Sequence, residues 1–86
     1  MKCYINNEMY SINPDANFAS ERDTWEAFII ELQEENKIIN ATLSLINEKY
    51  ITCVVNNDIT ESPESLLKAQ YQDNEKAINY IKSKLE

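Results

Sequence analysis

The stretch Glu21-Arg22-Asp23-Thr24-Trp25-Glu26-Ala27-Phe28-Ile29-Ile30-Glu31-Leu32-Gln33-Glu34-Glu35-Asn36 admits two readings that lead to different folds. With the period of a helix, Trp25, Phe28, Ile29 and Leu32 recur at steps of three and four as one apolar face, opposite Glu26, Glu31 and Glu34. With the period of a strand, Glu26 to Leu32 would alternate its charges across two faces, and Glu34-Glu35-Asn36-Lys37 would serve as a hairpin turn. The flanks favour the helix. Ser20 offers a hydroxyl to free amides, Glu21 and Asp23 place acids in the positive first turn, and Asn36 suits a left-handed stop.

Upstream, Cys3-Tyr4-Ile5 and Met9-Tyr10-Ser11-Ile12 read as short strands joined at Asn6-Asn7, a pair suited to a tight turn. Downstream, Ile39, Ala41, Leu43 and Leu45 alternate with Asn40, Thr42 and Ser44, and Tyr50-Ile51-Thr52-Cys53-Val54-Val55 is rich in β-branched residues, which predicts a second hairpin turning at Asn47-Glu48. Ser62-Pro63-Glu64 then sets a cap, a first-turn proline and an acid in the order of a helix start. Beyond it Leu67, Tyr71, Asn74, Ile78, Ile81 and Leu85 form one helical stripe with a polar interruption at Asn74, and Asp73-Asn74 is a point where the helix could divide. The expectation is one α+β domain over residues 1–86, with two hairpins forming a small antiparallel sheet and two helices on one face, in the order ββαββα. The alternative is a β-meander with a single C-terminal helix.

The chain has 86 residues, 43% of them hydrophobic and 27% charged, enough apolar side chain for one modest core. It contains no glycine, which excludes phosphate loops built on that residue and leaves asparagine to reach positive φ at Asn6-Asn7, Asn36, Asn47 and Asn56-Asn57. With no long apolar run and no signal-like apolar stretch after Met1-Lys2, an intracellular, cytoplasmic protein that does not enter a membrane is expected. Cys3 and Cys53 are read as free buried thiols, and Asn40-Ala41-Thr42 is given no weight as a glycosylation site.

Histidine is absent, so the usual acid–base and nucleophilic triads are excluded. Glu31 and Glu35, one turn apart, read as solvated surface rather than a carboxylate pair, and Asn56 to Glu61 lacks the spacing of a calcium loop. No enzyme activity, cofactor or metal is expected. Tyr4, Tyr10, Tyr50, Tyr71 and Tyr80 have acids rather than cations between them, which argues against direct nucleic-acid binding. Trp25 reads as core filler first and as a partner anchor second.

Charge is regional. Twelve acids against Arg22, Lys37 and Lys49 give Glu8 to Glu64 a charge of −9 within a chain of −7. The candidate partner-binding set is Glu21, Asp23, Glu26, Glu31, Glu34 and Glu35, carboxylates that could meet a basic protein in place of phosphates. The functional expectation is a small acidic inhibitor or immunity factor that blocks a basic, nucleic-acid-binding partner, acting as a nucleic-acid mimic. The alternative is a structural or assembly subunit, monomeric or homodimeric, that pairs through Leu67, Tyr71, Ile78, Ile81 and Leu85. Were Glu26 to Leu32 a strand, the contact would move to a sheet edge, where a partner could add a strand.

Overall fold

At Asn6 and Asn7 the backbone takes φ of 53° and 66°, two consecutive left-handed residues. A type I′ turn needs both central residues there, and asparagine reaches that region most readily in a chain without glycine. The turn closes an antiparallel hairpin of β1 (Lys2–Ile5) and β2 (Glu8–Ser11), in the register Lys2↔Ser11, Cys3↔Tyr10, Tyr4↔Met9 and Ile5↔Glu8. The Ile12 amide donates to the Met1 carbonyl at 2.8 Å and carries the ladder one residue further. The computed structural model describes residues 1–48 and 63–86, in which two helices follow the hairpin: α1 (Arg22–Asn47) and α2 (Pro63–Leu85).

The fold is α+β, as the residue pattern leads one to expect, but the order among the described residues is ββαα rather than ββαββα. Glu26 to Leu32 is helical, which also sets aside the meander with a single helix. Ile39 to Leu45, expected to be a strand, is the last part of α1; its intended partner, Tyr50 to Val55, lies outside the described residues. The helix continues because Ile39, Leu43 and Ile46 extend the stripe of Ile29, Leu32 and Asn36 at helical steps, and no proline interrupts 22–47. Each residue added to a helix already nucleated costs far less than starting a hairpin. Asn36 is therefore no stop. It is a buried mid-helix residue whose Nδ2 donates to the Tyr71 carbonyl at 3.4 Å and to Glu75 Oε1 at 3.0 Å.

The start of α1 also differs in detail. Glu21 occupies the cap position without a side-chain cap bond, and the Ser20 hydroxyl donates instead to the Asn17 carbonyl at 3.3 Å. α2 begins at Pro63 and ends in a last turn with Lys82 and Lys84, complementing the negative end of its dipole. It does not divide at Asp73-Asn74.

The helices run antiparallel, since Arg22 Nη1 donates to the Leu85 carbonyl at 2.7 Å at one end while Asn36 meets Tyr71 and Glu75 further along. Cys3, Ile12, Phe18, Ile29, Leu32, Ala77, Ile78, Ile81 and Leu85 form the core between hairpin and helices. Leu32 and Ile81 are fully buried, each contributing about 1.5–3 kcal/mol by burial. Asn74 is equally buried: its Oδ1 accepts from the Tyr4 amide at 2.7 Å, and its Nδ2 donates to the Tyr4 carbonyl and to Asn36 Oδ1, both at 3.0 Å. The polar interruption in the stripe is thus the group that joins α2 to both β1 and α1.

Candidate functional site

Directly paired residues of an antiparallel ladder share a face, so Tyr10 lies on the same side as its partner Cys3, which is buried in the core. Ile12, two residues on, follows Tyr10 to that side. Tyr10 and Ile12 thus face Trp25 and Phe28 across an apolar groove of about 240 Å³, bordered by Ser11, Glu21 and Thr24. Trp25 is half-buried, with its ring 4.6 Å from that of Phe18 and 6.0 Å from that of Phe28. It is both core filler and groove wall. Its Nε1–H is buried without an acceptor among the described residues, an unmet donor of the kind that costs about 1–3 kcal/mol.

The six expected acids do not form one surface. At 3.6 residues per turn, Glu26 and Glu31 stand about 140° apart around α1. Glu26 pairs with Arg22 at 3.0 Å and lines an open hollow with Ile29, Ile30, Gln33 and Lys82. Glu34 pairs with Lys37 at 3.3 Å. Exposed pairs of this kind are worth about 0–1 kcal/mol, but they offset the charge a partner would meet. Glu35 is buried, because one turn before Ile39 and beside Asn36 it falls on the inner face of the helix, contrary to the outward placement expected of it. Glu21 lines the groove, while Asp23 and Glu31 share a shallow hollow with Thr24, Ala27 and Phe28 that adjoins it.

On the strand side, Glu8 accepts a 2.8 Å hydrogen bond from the hydroxyl of Tyr10, one of the groove's walls. That bond and the Glu8 charge, followed by burial and the charge of Glu31, raise the Tyr10 phenol above its ordinary pKa. Among the described residues no lysine or arginine pairs with Glu8, Glu21, Asp23 or Glu31. Reasoning from sequence missed Glu8 and the groove role of Tyr10. The period-two spacing of Glu8, Tyr10 and Ile12 was the available signal, but which helix turn lies beneath them is a tertiary fact.

Chemically the site offers apolar contact, exposed carboxylates and main-chain polar groups. Cys3 is a free, buried thiol whose pKa burial raises, the opposite of an activated nucleophile. No helix among the described residues is long and apolar enough to cross a membrane. Comparison with protein-family models, with curated proteins and with solved structures found no match in any of the three.

Proposed function

We propose that this chain is a non-enzymatic protein-binding protein that occupies a basic surface of a partner and blocks it, as a small acidic inhibitor or immunity factor does. The observation that carries this reading is the position of Glu21, Asp23 and Glu31 at and beside a groove walled by Tyr10, Ile12, Trp25 and Phe28, with Glu8 bonded to the Tyr10 hydroxyl, all four acids unpaired with lysine or arginine among the described residues. Aromatic side chains supply contact area at low entropic cost, and acids around them steer a cationic partner and penalise an anionic one. The carboxylates that matter are a smaller set than the whole acidic helix. Glu26 and Glu34 carry their own cations, and Glu35 is inside.

The assembly reading draws no support from the stripe on α2, because Ile78, Ile81 and Leu85 are buried in the chain's own core.

The test is association with a basic protein recovered from the chain's own host. The rate is expected to fall by roughly an order of magnitude from low salt to about 0.5 M, as exposed charges are screened. The double reversal Glu21→Lys/Glu31→Lys should slow association while leaving the melting temperature in place. Binding indifferent to both salt and charge reversal would sink the reading.

A further inference from the structure

We infer that the outer edge of β2 is a docking edge for an extended, lysine- or arginine-bearing segment of the partner, which adds to the hairpin as a third strand and sets one apolar side chain into the groove. The inference rests on the protein-binding reading above and names where and how the partner is held. In a hairpin with a two-residue turn, the flanking pair Ile5↔Glu8 is hydrogen-bonded, and so is every second pair after it. The bond from the Ile12 amide to the Met1 carbonyl confirms that phase. The intervening pairs, Tyr4↔Met9 and Lys2↔Ser11, therefore turn their N–H and C=O groups outward.

The two outer edges are treated differently. On β1 the Tyr4 amide and carbonyl are both taken by the Asn74 side chain. On β2 the outward groups of Met9 and Ser11 have no partner among the described residues, every residue of the strand is exposed, and no helix approaches its backbone. Proteins commonly protect a free edge with lysine, proline or a bulge. Glu8-Met9-Tyr10-Ser11 has none of these three; its one charge is the carboxylate of Glu8, which repels an anionic strand and favours a cationic one, and Met9 is 63% exposed.

The occupant follows from charge and size. A second copy carries the same net charge of −7, so pairing edge to edge would bring two acidic proteins together against their mutual repulsion. A segment with Lys or Arg meets Glu8, Glu21, Asp23 and Glu31 instead. A third strand beside β2 projects every second side chain toward α1, over the hollow of Thr24 and Phe28. The groove, at about 240 Å³, falls below the roughly 300–1,000 Å³ of small-molecule sites and suits a single side chain.

The experiment uses the full chain, labelled for amide NMR, and three synthetic probes: the blocked peptide Thr-Lys-Thr-Leu-Thr-Lys-Thr-Thr, whose leucine and two lysines share one face of a strand, the same peptide N-methylated at alternate residues, and the same peptide with glutamate for lysine. The expected result is a shift of the Met9 and Ser11 amides and slower exchange there with the first probe, with at least tenfold weaker binding of the other two. Ser11→Pro, which removes an outward N–H while sparing the ladder to β1, should weaken the first probe at least tenfold with an unchanged melting temperature. Equal binding of the N-methylated peptide, or no effect of Ser11→Pro, overturns strand addition while leaving the acidic-surface reading intact. Slow exchange of Met9 and Ser11 amides in the free protein overturns it as well, since the edge would already be covered. Failure of the first peptide to bind at all overturns it too, and salt-dependent capture of a basic host protein then decides the broader reading separately.

Discussion

The carboxamide of Asn74 takes the place of a neighbouring strand at Tyr4, accepting from its amide at 2.7 Å and donating to its carbonyl at 3.0 Å across 70 residues of sequence. With Asn36 Oδ1 as the third partner, the Asn74 Oδ1 and both Nδ2 hydrogens are engaged in a fully buried position. A satisfied buried polar group of this kind adds directional specificity to a small core, whereas an unsatisfied one is costly. It also decides which edge of the hairpin remains free.

Asn74→Leu keeps volume but strands the Tyr4 amide, the Tyr4 carbonyl and Asn36 Oδ1 in the core. The expected loss is about 3 kcal/mol in urea unfolding, given roughly 1–3 kcal/mol per unmet group and partial relaxation. Adding Asn36→Leu should cost less in that background than in the parent, with a coupling of about 1 kcal/mol. A loss below about 1 kcal/mol for Asn74→Leu would mean the network contributes little.

The turn is tested at Asn7. Asn7→Ala forces a side chain with no local compensation into φ near 66°, and should lower stability by about 1 kcal/mol. Asn7→Gly should match or exceed the parent, since Asn-Gly is the preferred type I′ pair. Equal melting temperatures for the two variants would show that the left-handed turn is not retained in solution.

Arg22 joins the first turn of α1 to the last carbonyls of α2 through the 2.7 Å bond to Leu85. Arg22→Ala should cost about 1 kcal/mol and speed amide exchange in the last turn of α2, near Lys82 to Leu85. Arg22→Lys should restore only part of this, because an ammonium cannot serve Glu26 and the Leu85 carbonyl with the fixed fork of a guanidinium. Unchanged exchange in both variants would rule out a role for the contact.

Burial raises the Cys3 thiol pKa, and Glu8 raises that of Tyr10, so both folded values lie above the unfolded ones. A group shifted up contributes stability that is fully present below its unfolded pKa and is lost as pH rises through its folded pKa. For Cys3 the loss begins at about pH 8.5–9, and for Tyr10 at about pH 10. Stability measured in a Cys53→Ser background should therefore be flat with respect to Cys3 near neutrality and decline on the alkaline side. Cys3→Ala should shallow that decline. Reaction of Cys3 with a thiol reagent should track unfolding, and rapid labelling of the folded chain would contradict its burial.

Local chemistry made several parts of this protein legible in its sequence. Asn6-Asn7 sets the hairpin because two left-handed residues have few alternatives in a chain without glycine, and Pro63 sets the start of α2 because proline sits readily only in a helix's first turn. Trp25, Phe28, Ile29 and Leu32 mark the inner face of α1 by spacing alone. What misled was the segment from Ile39 to Leu45, where Ala41 and Leu45 lie on the solvent side of the helix, Leu45 42% exposed, and blur its period into an alternation with the inward Ile39 and Leu43. Only packing could resolve that ambiguity, because Asn36, a plausible helix stop by itself, is held inside the helix by Tyr71, Glu75 and Asn74 from α2. The candidate site divides in the same way. That this region is acidic follows from composition, but which carboxylates remain unpaired, which is buried and which border the groove depends on how α1 packs against α2 and the hairpin. Contacts between residues distant in sequence are set by the shape of the assembled core, and no local periodicity records them.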